Sequence, residues 1–378
     1  MKISRRRFLE LGGAAAGGAA AGSLGVRLAS ADGGDGDHAV DFYGAHQSGV
    51  VTPPQNHLWF AAFDVTADDL AGLRSLLESW SRTAARLAAG RTAASDDSGE
   101  TSGLGPARLT VTFGLGPGLF DRRYGLGRLR PPALAELPGF AGAELDSGRS
   151  GGDLFVQACA DDPAVAFHAV RTLSEEGRGA AVLRWTQRGF RSHDARGISR
   201  NLLGFRDGTN NLDAADVSAM RSHVWAASPG WMRGGTYGVV RRVRIRIEHW
   251  DAVERSEQER TIGRRKRDGA PVAGGFPANS HVEQANPRRA GSERERILRR
   301  GYSFSDGIDE RFGELDAGLF FVCFQRDPRR QFVPIQRRLA TGDHLSEYVF
   351  HTGSAVFAVP PGAGRGSYVG APLFEAAA

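Results

Sequence analysis

Three observations predict an α+β fold in which one antiparallel unit is built twice. Strand-like and helix-like segments between residues 57 and 190 follow the order β-α-β-β-α-β. A stretch of the second half repeats a stretch of the first at a constant offset of 165 residues. The composition, 41% hydrophobic and 24% charged over 378 residues, is that of a globular chain long enough for more than one domain without disulfide staples.

The first 31 residues stand apart. SRRRFLE is followed by the small apolar run LGGAAAGGAAAGSLGV and by RLASA before DGGD. A charged segment, a modest apolar segment and a small-residue site at Ala29 and Ala31 make an export signal. The run is too short and too rich in Gly and Ala for a membrane span, which needs about 20 apolar residues. Paired arginines ahead of Phe-Leu resemble a twin-arginine signal. That route carries folded proteins, which suits a chain that takes up a cofactor before crossing. Residues 1–31 are therefore expected to be a signal peptide read by the twin-arginine translocase. The mature protein is expected to begin near Asp32 and to be periplasmic or extracellular. The signal also holds most of the formal net charge of +5: Lys2, Arg5, Arg6, Arg7 and Arg27 against Glu10 leave the rest near +1. A near-neutral body argues against a nucleic-acid partner.

Residues 32–45, rich in Gly and Asp, are expected to be mobile. HLWFAAFDVT (57–66) reads as a strand, and 68–89 as a helix with Leu70, Leu73, Leu76, Leu77 and Trp80 at helical spacing. A polar loop spans 90–106. ARLTVTFGLG and DLFVQACA read as strands, DPAVAFHAVRTLSEEG as a helix opened by Asp162 and Pro163, and AAVLRWTQRGF as a closing strand. This is the ferredoxin-like arrangement. Downstream, LFVQACADDPAVAF (154–167) lines up with LFFVCFQRDPRRQF (319–332), matching Leu154 with Leu319, Asp162 with Asp327, Pro163 with Pro328 and Phe167 with Phe332. Short strand-helix segments also resemble each other by chance. Read as a repeat, the match gives two ferredoxin-like domains, 32–200 and 201–378. VVRRVRIRIEHW (239–250) then opens the second, and SAVFAVP (354–360) closes it.

Arg242, Arg244 and Arg246 alternate with Val243, Ile245 and Ile247, so period two sets them on one sheet face. The ordinary outcome is a solvated face; a face lining a cavity would attract carboxylates or propionates. RRKRDG (264–269) reads as a solvated basic loop. Cys159 and Cys323 lie inside apolar runs without CxxC spacing, which predicts buried free thiols.

The octapeptide GFRDGTNN (204–211) puts Asp207 beside Gly208. Taken alone it is good turn chemistry. Of five histidines of interest, His168, His249, His344 and His351 read as structural. His281 differs, lying in NSHVEQANPRRAGS after a long irregular insertion, with Arg299 eighteen residues on in ILRRGYSF.

In that order, GFRDGTNN, SHVEQANPR and ILRRGYSF resemble the dye-decolorising (DyP-type) heme peroxidases. HQSGVVTPPQNHLWFAAFDV, the two LFV/LFF strands and the twin-arginine signal extend the resemblance over nearly the whole mature chain. It points to the exported bacterial subgroup that includes the deferrochelatase/peroxidase of iron-uptake systems. The resemblance implies a duplicated ferredoxin-like fold with one heme b per chain in the C-terminal half. It implies His281 as the proximal iron ligand, and Asp207 and Arg299 on the distal side, with Arg300 as a neighbour that spacing disfavours. Gly204 and Gly208 would let backbone approach the porphyrin closely. Glu347 is expected as the acid behind the proximal imidazole, with Asp343 as its rival, and Phe304 as a wall of the distal pocket. One departure is Glu283, where family members often carry a basic residue.

The resemblance implies a peroxidase that reduces hydrogen peroxide and oxidises bulky aromatic or dye-like donors. Asp207 would shuttle the peroxide proton and Arg299 would stabilise developing charge. A carboxylate base, ionising near about 3.9, implies activity strongest in mildly acid solution. Trp231, Tyr237 and Trp250 are electron-relay candidates with a competing role as core aromatics. A heme-iron-releasing or heme-carrier protein of an iron-uptake system is the second reading, and a heme-free binding module the third. Homo-oligomers are expected from the family. Iron acquisition, copper handling and lignin-like donors stay open.

Overall fold

The computed structural model describes residues 38–92, 99–193 and 197–378; the export signal at 1–31 lies outside them. The first half supplies β1 (His57–Val65), β2 (Thr110–Leu115), β3 (Leu154–Ala160) and β4 (Ala181–Phe190). Two short strands follow, β5 (Ser192–His193) and β6 (Ser199–Arg200), paired with each other. The second half supplies β7 (Thr236–Ile245), β8 (Leu298–Arg299), β9 (Tyr302–Asp309), β10 (Glu314–Gln325) and β11 (Val349–Val359).

The first four strands lie in the order β4-β1-β3-β2, and the second set in the order β11-β7-β10-β9. Taking each set in its own chain sequence, both run fourth, first, third, second, so the unit is built twice as expected. The two sheets are not separate. β4 meets β9 through Phe190 and Ser303, and β11 meets β2 through Ala358 and Leu115, closing an antiparallel ring with β8 added on β10. Closure covers the edges that two free sheets would expose.

Alternation along the strands assigns each residue a side. Phe60 and Ala62 of β1 face into the ring, with Phe155, Trp185, Phe320 and Phe357, in a core tied by the Phe60–Phe320 contact (ring centroids 5.1 Å). Ala61, Phe63 and Val65 face outward, under the helices Leu70–Ala88 and Pro163–Glu176. The first of these helices is capped by Asp69, which accepts from Gly72 N–H (2.8 Å), and it buries Leu73, Leu76, Leu77 and Trp80. Cys159 and Cys323 are buried free thiols.

Several expectations are corrected. Residues 38–45 do not all hang free: Phe42 packs into the outer core and Gly44 N–H bonds the Ala363 carbonyl. The repeat is faithful in its strands but not in its helix start. Asp162 caps Pro163–Glu176 through Ala164 and Val165 N–H. Asp327 instead accepts from Arg329, by backbone N–H and guanidinium, so its helix starts only at Phe332. The strand expected over 239–250 ends at Ile245, and Ile247–Asp251 is a helical turn.

The face with Arg242 and Arg244 meets neither solvent nor cavity. It points into the ring, where the β9–β10 hairpin supplies carboxylates. Arg242 donates to Asp306 (3.0 Å) and Asp316 (2.7 Å), and Arg244 pairs with Glu314 (3.0 Å) and Asp309 (3.6 Å). Among the described residues no helix is long and apolar enough to cross a membrane.

Candidate functional site

A cavity of about 310 Å³ lies on the outer face of the second sheet. Its sheet side carries Val243 and Ile245 of β7, and Leu319 and Phe321 of β10; its helix side carries Val282 and Leu339. The size is at the lower end of ordinary cofactor pockets, with mostly apolar walls.

His281 enters from the helix side as the first residue of the turn His281–Ala285, whose N-cap is Ser280. Its Nδ1–H donates to Asp343 Oδ2 (2.7 Å). Asp343 is itself fixed, its Oδ1 accepting from Leu345 N–H (2.9 Å). This bond sets the tautomer and leaves Nε2 as the lone-pair nitrogen on the cavity side. Burial disfavours the protonated ring, but the Asp343 carboxylate outweighs it and holds the His281 pKa above its ordinary value. The acid behind the imidazole is thus Asp343 and not Glu347. Glu347 ends the short turn that Asp343 caps and points to solvent.

Asp207 and Arg299 meet on the wall, Arg299 Nη1 standing 3.7 Å from Asp207 Oδ1. Both sit close enough to His281 to bias the charge of its ring, Arg299 downward and Asp207 upward. The polar tail of the octapeptide explains how they are joined. Asn211 Nδ2 donates to the Arg299 carbonyl and Asn211 Oδ1 accepts from Arg299 N–H, each at 2.8 Å. A single amide thereby ties the Asp207 loop to β8. Asp207 Oδ1 also accepts from Gly208 N–H (2.7 Å), which leaves Oδ2 without a donor among the described residues. Arg300 faces the other way, into the core, where it donates to Thr52 and Gln55.

Two cofactor-contact expectations, Gly204 and Phe304, fail on geometry, while Gly208 is at the wall. Gly208 lines the cavity at φ +77°, and a Cβ there would meet nothing within 4 Å. Gly204, at φ +85°, backs onto the Lys266 side chain and is not part of the wall. Phe304 is 0% exposed inside the ring, stacked 4.1 Å under the Arg242 guanidinium. Strand alternation turns its neighbour Ser303 to the cavity instead. Of the relay candidates, Trp231 and Tyr237 are buried in the outer core. Trp250 is buried in a small cluster with Phe205, Ile245, Ile262 and Leu345, which line the cavity.

Sequence reasoning missed Asn211 and Arg241, and it read His351, which lines the cavity, as structural. Asn211 stood in the quoted motif without a partner to name. Arg241 stood one residue out of phase with the arginines that period two selected.

Among the described residues no three His, Cys, Asp or Glu side chains are grouped to hold a bare metal ion. One imidazole presented to a cavity suits a metal whose other ligands come from a macrocycle. The charge of the wall also suits heme: six arginines face it against the carboxylates of Asp207, Glu295 and Asp343, an excess that favours a cofactor bearing carboxylates.

The comparisons agree. The N-terminal profile of the Dyp-type peroxidases matches residues 47–191 and the C-terminal profile residues 198–364. A deferrochelatase of Escherichia coli O157:H7 is 36% identical over 369 residues, spanning 88% of this chain and 87% of its own. Ferric DtpA from Streptomyces lividans superposes with a TM-score of 0.85 at 40% identity, covering 90% of this chain and 98% of its own. A DyP-type peroxidase from Cellulomonas bogoriensis does so at 0.84 and 39%, covering 91% and 100%.

Proposed function

The chain belongs to the Dyp-type peroxidase family and is a heme peroxidase, and we propose that His281 would hold its heme and that Asp207 and Arg299 would act on the peroxide. When bound, the heme supplies the redox chemistry, reducing hydrogen peroxide to two waters at the expense of two one-electron donors. Asp207 Oδ2 accepts the proton of one peroxide oxygen and delivers it to the other, directly or through one water. Arg299, permanently charged, stabilises the negative charge that builds on the departing oxygen. His281 Nε2 would hold the heme iron, and Asp343 raises the basicity of the ring through Nδ1. The observation that carries this reading is the 3.7 Å approach of Arg299 to Asp207 on the wall of the cavity that His281 enters from the helix side.

Bulky aromatic or dye-like donors are the proposed reductants. Trp250 is the preferred relay, because the cluster that buries it is shared with the cavity. A second reading, release of iron from heme, is favoured by the relatives named deferrochelatase. Export by the twin-arginine pathway to the periplasm or beyond rests on SRRRFLE and the Ala29/Ala31 site. The division into 32–200 and 201–378, and assembly into homo-oligomers, are parts of the same proposal.

One experiment separates the two activities. The holoprotein is given peroxide with an anthraquinone dye, and separately a reductant with a ferrous-iron chelator. The peroxidase reading expects dye oxidation that falls at least a hundredfold in Arg299→Leu at equal heme content. Chelatable iron with metal-free porphyrin fluorescence, and no peroxide-dependent dye oxidation, would replace it with the iron-release reading.

A further inference from the structure

Three arginines of β7 are almost wholly buried: Arg241 is 1% exposed, Arg242 and Arg244 2% each. Arg242 and Arg244 are each met by two carboxylates. Arg241, on the cavity face, is met by none among the described residues. Its Nε donates to His351 Nδ1 (3.2 Å), its Nη1 donates to Ser354 Oγ (3.0 Å), and its Cζ lies 5.5 Å from the Phe140 ring centroid. Nη2 is buried with no hydrogen-bond partner among the described residues. His351 is not a counter-charge, for burial and the Arg241 charge push its pKa down to about 3 and keep it neutral.

A buried cation without an anion is expensive, and an unpaired buried donor adds to the cost. Burial draws the Arg241 pKa down to about 10, which still leaves it charged at neutral pH. The protein keeps this charge beside a cavity whose wall carries more arginines than carboxylates. We propose that Arg241 is the built-in counter-charge for one carboxylate of the heme. His351 and Ser354 fix the guanidinium plane, and the nitrogen that the chain leaves unpartnered takes the propionate oxygen. The planar fork makes arginine better suited to this than lysine.

The inference rests on heme occupying this cavity, and its test keeps the two apart. Apoprotein is reconstituted with heme and, in parallel, with heme dimethyl ester, which has the same ring and no carboxylate. A Soret band on adding heme reports occupancy; its absence in the parent would remove the heme reading itself. Transfer to excess apomyoglobin then gives the release rates. The parent is expected to hold heme about tenfold longer than Arg241→Gln does. With the ester the two proteins should release at similar rates. Arg241→Lys, which keeps the charge without the fork, should fall between. The apoprotein of Arg241→Gln should melt above the parent apoprotein, because an uncompensated buried charge is gone, yet gain less on binding heme. If Arg241→Gln does not fold, the parent alone decides: equal retention of heme and ester overturns the proposal. So does an Arg241→Gln protein that discriminates between the two ligands as strongly as the parent.

Discussion

The two faces of β7 carry the same residue type and treat it in opposite ways. On the inner face, Arg242 and Arg244 are neutralised by Asp306, Asp316, Asp309 and Glu314, all from the neighbouring hairpin. On the cavity face, Arg241 has only a hydroxyl, a neutral imidazole and an aromatic ring. Farther along the same wall, Arg299 stands 3.7 Å from Asp207, at the limit of a contact and outside hydrogen-bond range. The charges of Arg242 and Arg244 are complete within the chain and serve the fold. That of Arg241 meets no carboxylate among the described residues, and the proposed heme would supply one. Substitutions on the two faces should therefore fail in different ways.

The largest effect on stability is expected inside. Asp316→Ala leaves Arg242 buried with Asp306 as its one remaining carboxylate among the described residues, and urea unfolding should show a loss of about 3 kcal/mol. The peroxide rate per bound heme should be unchanged. At the cavity, Arg299→Leu should do the reverse. A loss of 10²–10³ in the peroxide rate, about 2.7–4 kcal/mol of transition-state stabilisation, should leave stability within about 1 kcal/mol. A stability loss in Arg299→Leu comparable to that of Asp316→Ala would break the distinction. Asn211→Ala lies between the two, since it frees the Asp207 loop from β8. Losing two hydrogen bonds should cost about 1–2 kcal/mol and slow the peroxide reaction about tenfold through misplacement.

The smallest effect is in pH dependence. His351 titrates near 6.5 in the unfolded chain and near about 3 in the folded one. Between those values the unfolded chain binds a proton that the native protein refuses. Its contribution to stability is complete above about 6.5 and drains away as pH falls toward 3. Melting temperatures of the apoprotein from pH 7 to pH 4 should decline less steeply in His351→Gln than in the parent. An identical slope would mean that His351 is not held neutral beside Arg241.

The duplicated architecture was legible because strand periodicity and the 165-residue offset are local signals. The joining of the two sheets was not, since it rests on single residue pairs, Phe190 with Ser303 and Ala358 with Leu115, far apart in sequence. Asp207, His281 and Arg299 were legible as an ordered set of motifs, and the structure brings them to one cavity. Glu347 was favoured over Asp343 because it fits the place, just before the last strand, where the resembled family keeps an acid. The geometry of a capped turn reversed the choice, because a cap residue points back at the chain while the end of the turn points away. Phe304 and Gly204 failed for a similar reason: which face a residue takes depends on a register that one sequence does not reveal. Arg241 was hidden by its neighbours, whose regular alternation drew the reading to the opposite face.

The most direct test of the account is the second-order reaction of the holoprotein with hydrogen peroxide, followed by stopped-flow absorbance of the Soret band in the parent and in Asp207→Ala, at matched heme content from pH 4 to pH 8. The expected result is a fall of at least about a hundredfold in the variant, with the heme spectrum at rest unchanged. Equal rate constants in the two proteins across that range would contradict the assignment of Asp207 as the group that moves the peroxide proton.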